Sequence, residues 1–94
     1  MLTQNEINII IQTLMPYNPK RIGLFGSVAR NQEKVSSDID ILYSFETPIS
    51  LFSLVDLQIK LKKSLHKEID LVSENAVHPL LKTQIYNDLK IIYG

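Results

Sequence analysis

The sequence predicts an α/β domain of the α+β kind, a small mixed β-sheet flanked by helices. Three observations carry this. Short β-prone runs interleave with longer runs of helical spacing, in the order helix, strand, short turn, strand, helix, strand, helix. The first two strands are joined by a short polar link, which favours hairpin-like antiparallel pairing. A long helix separates the second strand from the third, which allows a crossover.

Each element has a local cause. Thr3-Gln4-Asn5-Glu6 fits a capping box, with the Thr3 hydroxyl accepting from the Glu6 amide and Glu6 reaching back. Ile7, Ile10, Ile11, Leu14 and Met15 follow at helical spacing, and Pro16 and Pro19 bracket the stop. This predicts an amphipathic helix from Gln4 to Met15. Arg21 to Phe25 is short, apolar and flanked by Pro19 and Gly26, so it reads as a strand. Gly26-Ser27 ends it, and Val28-Ala29-Arg30 suits one helical turn. Asn31 tolerates a left-handed conformation, and 31–37 reads as loop. Asp38 to Phe45 alternates and forms the second strand. Ser50 is a candidate N-cap for a helix reaching Leu65. Glu68 to Val72 is the third strand. Leu80, Leu81, Ile85 and Leu89 mark a last helix, and Ile91-Ile92-Tyr93 reads equally as a final strand or a helix tail.

With 94 residues, the expectation is one domain over 1–94. A domain this small is marginally stable alone, so homo- or hetero-oligomerisation is expected. Ten Lys and Arg balance ten Asp and Glu. No global positive field draws nucleic acid, so no direct nucleic-acid partner is expected. The absence of cysteine excludes disulfides and thiolate metal sites. The N-terminal stretch lacks a basic start and carries Glu6, unlike a signal peptide, and no apolar run approaches a bilayer span. No membrane association and a cytoplasmic location are the expectation.

The chemistry concentrates in acidic residues. Residues two apart in a strand share a face, so Asp38 and Asp40 project together while Ile39 and Ile41 face the helices. Two close carboxylates raise each other's cost of ionisation, and a cation relieves it. Hard oxygen ligands on a strand suit Mg²⁺. In Glu68-Ile69-Asp70-Leu71-Val72 the same alternation sets Asp70 apart from Ile69 and Leu71. If the second and third strands are neighbours, the three carboxylates would hold two divalent cations, an arrangement able to clamp an in-line phosphoryl displacement. Gly26 permits close approach of a phosphate, amides at the start of a helical turn favour an anion, Ser27 adds a hydroxyl, and Arg30 is a candidate phosphate partner. No Gly-Lys-Ser/Thr follows, so this is not a P-loop. Tyr43 is placed on the side of Asp38 and Asp40, as cleft lining or as core. His66 and His78 read as structural or surface residues. Lys60, Lys62, Lys63 and Lys67 read as a solvated helix face, with a phosphate or acidic partner as the other reading.

Gly26-Ser27-x-Ala29-Arg30 followed by Ser37-Asp38-Ile39-Asp40-Ile41 resembles the signature of the polymerase-beta-like nucleotidyltransferase superfamily. The short length, the GLFGSVAR form and the Asp in KEIDLVSENAVHP make it similar to the minimal nucleotidyltransferase family, which includes MntA-like antitoxins paired with HEPN-domain toxins. The resemblance covers nearly all of the chain from Arg21 on. It implies a polymerase-beta palm-like fold and Mg²⁺-dependent transfer of a nucleoside monophosphate from a nucleoside triphosphate, here ATP. By matching position it implies that Gly26 and Ser27 hold the triphosphate. Asp38 and Asp40 would bind both metals, and Asp70 would bind the catalytic metal and help activate the attacking hydroxyl. In antitoxin members the acceptor is a tyrosine of the partner HEPN ribonuclease, which adenylylation inactivates. Asn31 departs from the Gly usual in the family; Asn often replaces Gly at left-handed positions, so the geometry is expected to be kept.

Two other functions fit the chain. One is a non-catalytic antitoxin that occludes its partner, a role that needs no metal site. The other is a nucleotidyltransferase for a small-molecule or RNA acceptor, whose relatives generally use an extra domain to hold the acceptor. The aspartate triplet favours catalysis on a protein.

Overall fold

The computed structural model describes residues 2–30 and 38–94. Expectations for Asn31 and the 31–37 loop lie outside the described residues. Helix α1 (Gln4–Leu14) opens with the predicted capping box: Thr3 Oγ1 accepts from the Glu6 amide at 3.1 Å, and Glu6 Oε1 accepts from the Thr3 amide at 3.0 Å. It ends at Leu14, and Pro16 sits in a 3₁₀ turn (Met15–Tyr17) that closes on a left-handed Asn18. Strand β1 (Pro19–Phe25) begins two residues before the predicted Arg21. Helix α2 (Gly26–Ala29) is a single turn. Strand β2 (Ile39–Phe45) leads to α3 (Leu51–Leu65), where the Ser50 hydroxyl accepts from the Ser53 amide at 3.1 Å. His66 stops α3 in a left-handed conformation as its C-cap, its amide donating to the Lys62 carbonyl. Strand β3 (Ile69–Ser73) and a 3₁₀ turn (Glu74–Ala76) lead to α4 (Pro79–Asp88). His78 caps α4, its Nδ1 accepting from the Leu80 amide at 3.1 Å. The tail resolves as strand β4 (Lys90–Tyr93).

The sheet order is β3-β2-β1-β4. β1 pairs antiparallel with β2 and β4, and β2 pairs parallel with β3 across the α3 crossover, so the sheet is mixed as predicted. One face buries Ile39 and Ile41 of β2 with Ile10 and Leu14 of α1 and Leu57, Leu61 and Leu65 of α3. The other face carries a smaller cluster, Leu42 with Val77 and Ile85, against which Phe25, Val72 and Leu89 pack. A Cβ on Gly23 would lie 2.5 Å from Leu89 Cδ1, so the bare backbone there lets the end of α4 settle onto β1. Lys60 pairs with Asp56 at 3.2 Å and Lys62 with Glu68 at 2.6 Å, both in solvent, in keeping with the solvated-face reading.

A polar tie joins β1, the 74–76 turn and α4. Arg21 Nε donates to Glu74 Oε1 at 3.0 Å, its Nη2 donates to Glu74 Oε2, and the Tyr86 hydroxyl donates to Glu74 Oε2 at 3.1 Å. The Arg21 hydrogen bonds hold the Glu74 carboxyl below its ordinary value of 4.5. A depressed carboxylate stabilises the fold above its unfolded pKa, and that contribution is lost as pH falls through the folded pKa. Glu74→Gln should therefore cost about 1 kcal/mol or less at neutral pH, given the exposure of Arg21. The gap in melting temperature from the parent should narrow as pH falls below 4.5. A gap independent of pH would mean that packing, not charge, holds the tie.

Candidate active site

The site residues expected from the sequence gather where β1 ends and β2 begins, with Asp70 on the neighbouring β3. Gly26 follows the last residue of β1 with φ +73°, the left-handed region that favours glycine. A Cβ there would lie 2.1 Å from Asp40 Oδ2. The missing side chain of Gly26 is therefore the space the Asp40 carboxylate occupies. Ser27 and Arg30 follow on and just after α2, and the Arg30 amide closes the turn on the Gly26 carbonyl at 3.2 Å. Phe25 at the end of β1 stands opposite Asp40 in the antiparallel register.

β2 and β3 run in register, with Asp40 opposite Asp70 and Ile39 opposite Ile69. The condition set by the sequence, that these strands be neighbours, is met. Asp38 sits one residue before β2, exposed, and its charge reaches Asp40. Asp40 is half-buried, and its carboxyl is pushed up to about 6, first by burial, then by the charges of Asp70 and Asp38, with Arg30 acting in the opposite direction. Among the described residues, no three His, Asp or Glu side chains already form a ready-made metal cage. The donor set nevertheless fits a hard divalent cation. It is all carboxylate, and Asp40 bears a repulsion that a cation removes.

A cleft of about 410 Å³ opens beside these residues. Phe25, Gly26, Ser27, Arg30 and Asp40 form one wall, and Leu81, Gln84, Ile85 and Asp88 of α4 form the other. Arg30 Nη1 donates to the Asp88 carboxylate across it. Sequence periodicity does not reveal this second wall: Leu80, Leu81, Ile85 and Leu89 mark only a final helix, and no spacing in PLLKTQIYND marks Asp88 as a partner of a residue 58 positions earlier.

The placement of Tyr43 is corrected. Counted from Ile39, position 43 has the parity of Ile41, so Tyr43 lies on the opposite face from Asp40 and is buried with Ile39 and Ile41. It hydrogen-bonds Ser73 and, with Lys20 and Phe45, borders a separate cavity of about 390 Å³ at the far end of β2.

A cleft edged by a left-handed glycine, beside carboxylates in register on neighbouring strands of a mixed sheet, fits nucleotidyl transfer in type. The chain belongs to the family described as Polymerase beta, Nucleotidyltransferase, which matches residues 8–94. It is 47% identical over 85 residues to a Methanocaldococcus jannaschii protein named for protein adenylyltransferase activity, covering 89% of this chain and 91% of that one. It is 34% identical over 82 residues to protein adenylyltransferase MntA of Thermococcus cleftensis, covering 82% and 83%. Among solved structures it is similar to a toxin–antitoxin complex with AMP-PNP, with a TM-score of 0.84 and 28% identity over 94% of this chain and 73% of that one. It is also similar to the complex of the tri-AMPylated Shewanella oneidensis HEPN toxin with its MNT antitoxin, with a TM-score of 0.79 and 26% identity over 99% and 73%. The fold expectation and the family resemblance both hold. Among the described residues no helix is long and apolar enough to cross a membrane.

Proposed function

We propose that residues 1–94 work as one minimal nucleotidyltransferase domain, the cytoplasmic antitoxin of a HEPN/MNT pair, transferring AMP from ATP to a tyrosine of the partner HEPN ribonuclease. The observation that carries this reading is the contact geometry of Gly26, Asp40 and Asp70: a carboxylate set against bare backbone at a cleft, with a second carboxylate in register beside it. The relatives named as protein adenylyltransferases support the protein acceptor, and the HEPN complex supports the partner.

Gly26 and Ser27 receive the triphosphate, and Arg30 binds it electrostatically. Asp38, Asp40 and Asp70 would hold two Mg²⁺ ions, which would supply Lewis-acid polarisation of the phosphoryl group and neutralise developing charge. Asp70 takes the proton of the tyrosine hydroxyl. The tyrosine oxygen bonds to the α-phosphorus, the bond from that phosphorus to the bridging oxygen breaks, and pyrophosphate leaves. The carboxylates of Asp40 and of Asp38 and Asp70, whose charges reach it, repel a triphosphate until cations bind, so substrate and metal are expected to bind together.

The test is the intact mass of a HEPN partner co-expressed with this protein. A gain in whole AMP units, mapped to tyrosine, is expected. A stable complex with no mass gain would overturn transfer and leave occlusion of the partner as the mode of neutralisation.

A further inference from the structure

We propose that Asp88 is a positioning residue that anchors the Arg30 guanidinium at the cleft mouth for the nucleotide phosphates, so that α4 builds the second wall of the nucleotide site. This rests on the nucleotide-binding reading above.

Arg30 follows α2 and Asp88 ends α4, and both line the cleft with Gly26, Ser27 and Asp40. The Asp88 side chain is 16% exposed and that of Arg30 41% exposed, so the carboxylate is the fixed partner and the guanidinium the outward one. A carboxylate in the last turn of a helix is disfavoured by the helix dipole. Asp88 therefore does not serve α4 itself, and the guanidinium is what makes its position tolerable.

The charge of Arg30 also acts on Asp40, opposing the effects of Asp70 and Asp38 there. Without Asp88 the guanidinium would be drawn onto the carboxylates assigned to the cations. A guanidinium is a rigid planar fork with five donors. Anchoring Nη1 fixes its plane, and the same group can then serve a phosphate oxygen.

The experiment is AMP-PNP binding by calorimetry in Mg²⁺ buffer, for the parent, Asp88→Ala, Asp88→Asn, Arg30→Ala and the Arg30→Ala/Asp88→Ala double variant. Asp88→Ala should weaken binding about tenfold, on the scale of one charge-assisted contact. Asp88→Asn keeps an acceptor oxygen and should recover most of that loss. In the Arg30→Ala background Asp88→Ala should have no further effect. Three results would overturn the proposal: parent-like binding by Asp88→Ala, tighter binding by it, or the same loss in both backgrounds. The second would mean that Asp88 only repels phosphate, and the third that it only supports α4. A parent protein that does not bind AMP-PNP would remove the nucleotide reading itself and this inference with it, an outcome distinct from the other three.

Discussion

The Asp38→Asn, Asp40→Asn double variant should fold, hold its partner and fail to modify it. Transfer should fall by about a thousandfold or more, equivalent to about 4 kcal/mol of lost transition-state stabilisation. The partner's intact mass, measured after co-expression, should show no added AMP while the two proteins still elute together. The same change should help the fold. The Asp40 carboxyl is pushed up to about 6 by burial and by its neighbours, so its ionised form destabilises the empty site at neutral pH. A raised carboxylate contributes instability above its folded pKa that fades as pH drops through about 6 toward the ordinary 3.8. With a chelator present, the parent should therefore melt higher at pH 5 than at pH 7 through this group, and Asp40→Asn should lose that dependence. The gain at pH 7 should be about 1 kcal/mol, discounted because Asp40 is half-exposed. A variant both more stable and inactive is the signature of a residue kept for chemistry. A variant that still transfers AMP would remove these aspartates from the mechanism.

Gly26→Ala should damage both stability and transfer, for two separable reasons. The backbone there has φ +73°, where an L side chain costs about 1–2 kcal/mol. The new methyl would also lie 2.1 Å from Asp40 Oδ2 and 3.1 Å from Asp40 Cγ. The backbone cost should appear in the melting temperature. The clash should appear in catalysis, because the Asp40 carboxylate must leave its place against the Gly26 backbone, and a displacement of about 1 Å in a reacting group costs on the order of 100-fold. Combining Gly26→Ala with Asp40→Ala, which removes the carboxylate that the methyl meets, separates the two. If the clash is the cause, the double variant should be no less active than Asp40→Ala alone, and the backbone melting penalty should remain. Full activity in Gly26→Ala would show that the Asp40 carboxylate is not held in this place during turnover.

Much of this site was legible from local rules. The parity of Asp38, Ile39, Asp40 and Ile41 separates site from core with no tertiary information, and Ile39 and Ile41 are fully buried as that parity requires. The capping box at Thr3 and the Ser50 cap were legible because the partners lie three residues away. The crossover was legible in kind, because a long helix between two strands permits parallel pairing. What escaped was set at long range. The tail 90–93 could not be assigned alone, because pairing with β1 makes it a strand. The Arg30–Asp88 and Arg21–Glu74 pairs join residues more than 50 apart on separate elements, and no periodicity encodes them. The face of Tyr43 was legible and was misplaced, since counting by twos from Asp40 reaches Leu42 and Ser44.

The in-register parallel pairing of β2 and β3 divides the chain into parts that tolerate change in length and parts that do not. Asp70 faces Asp40 only because Ile69 faces Ile39 one step earlier. Slipping β3 by a single residue would set Ile69 or Leu71 opposite Asp40 and turn the Asp70 carboxylate to the other face. The α3 crossover tolerates length variation so long as it delivers β3 in phase, whereas one residue inserted between Ile69 and Asp70 takes Asp70 away from Asp40.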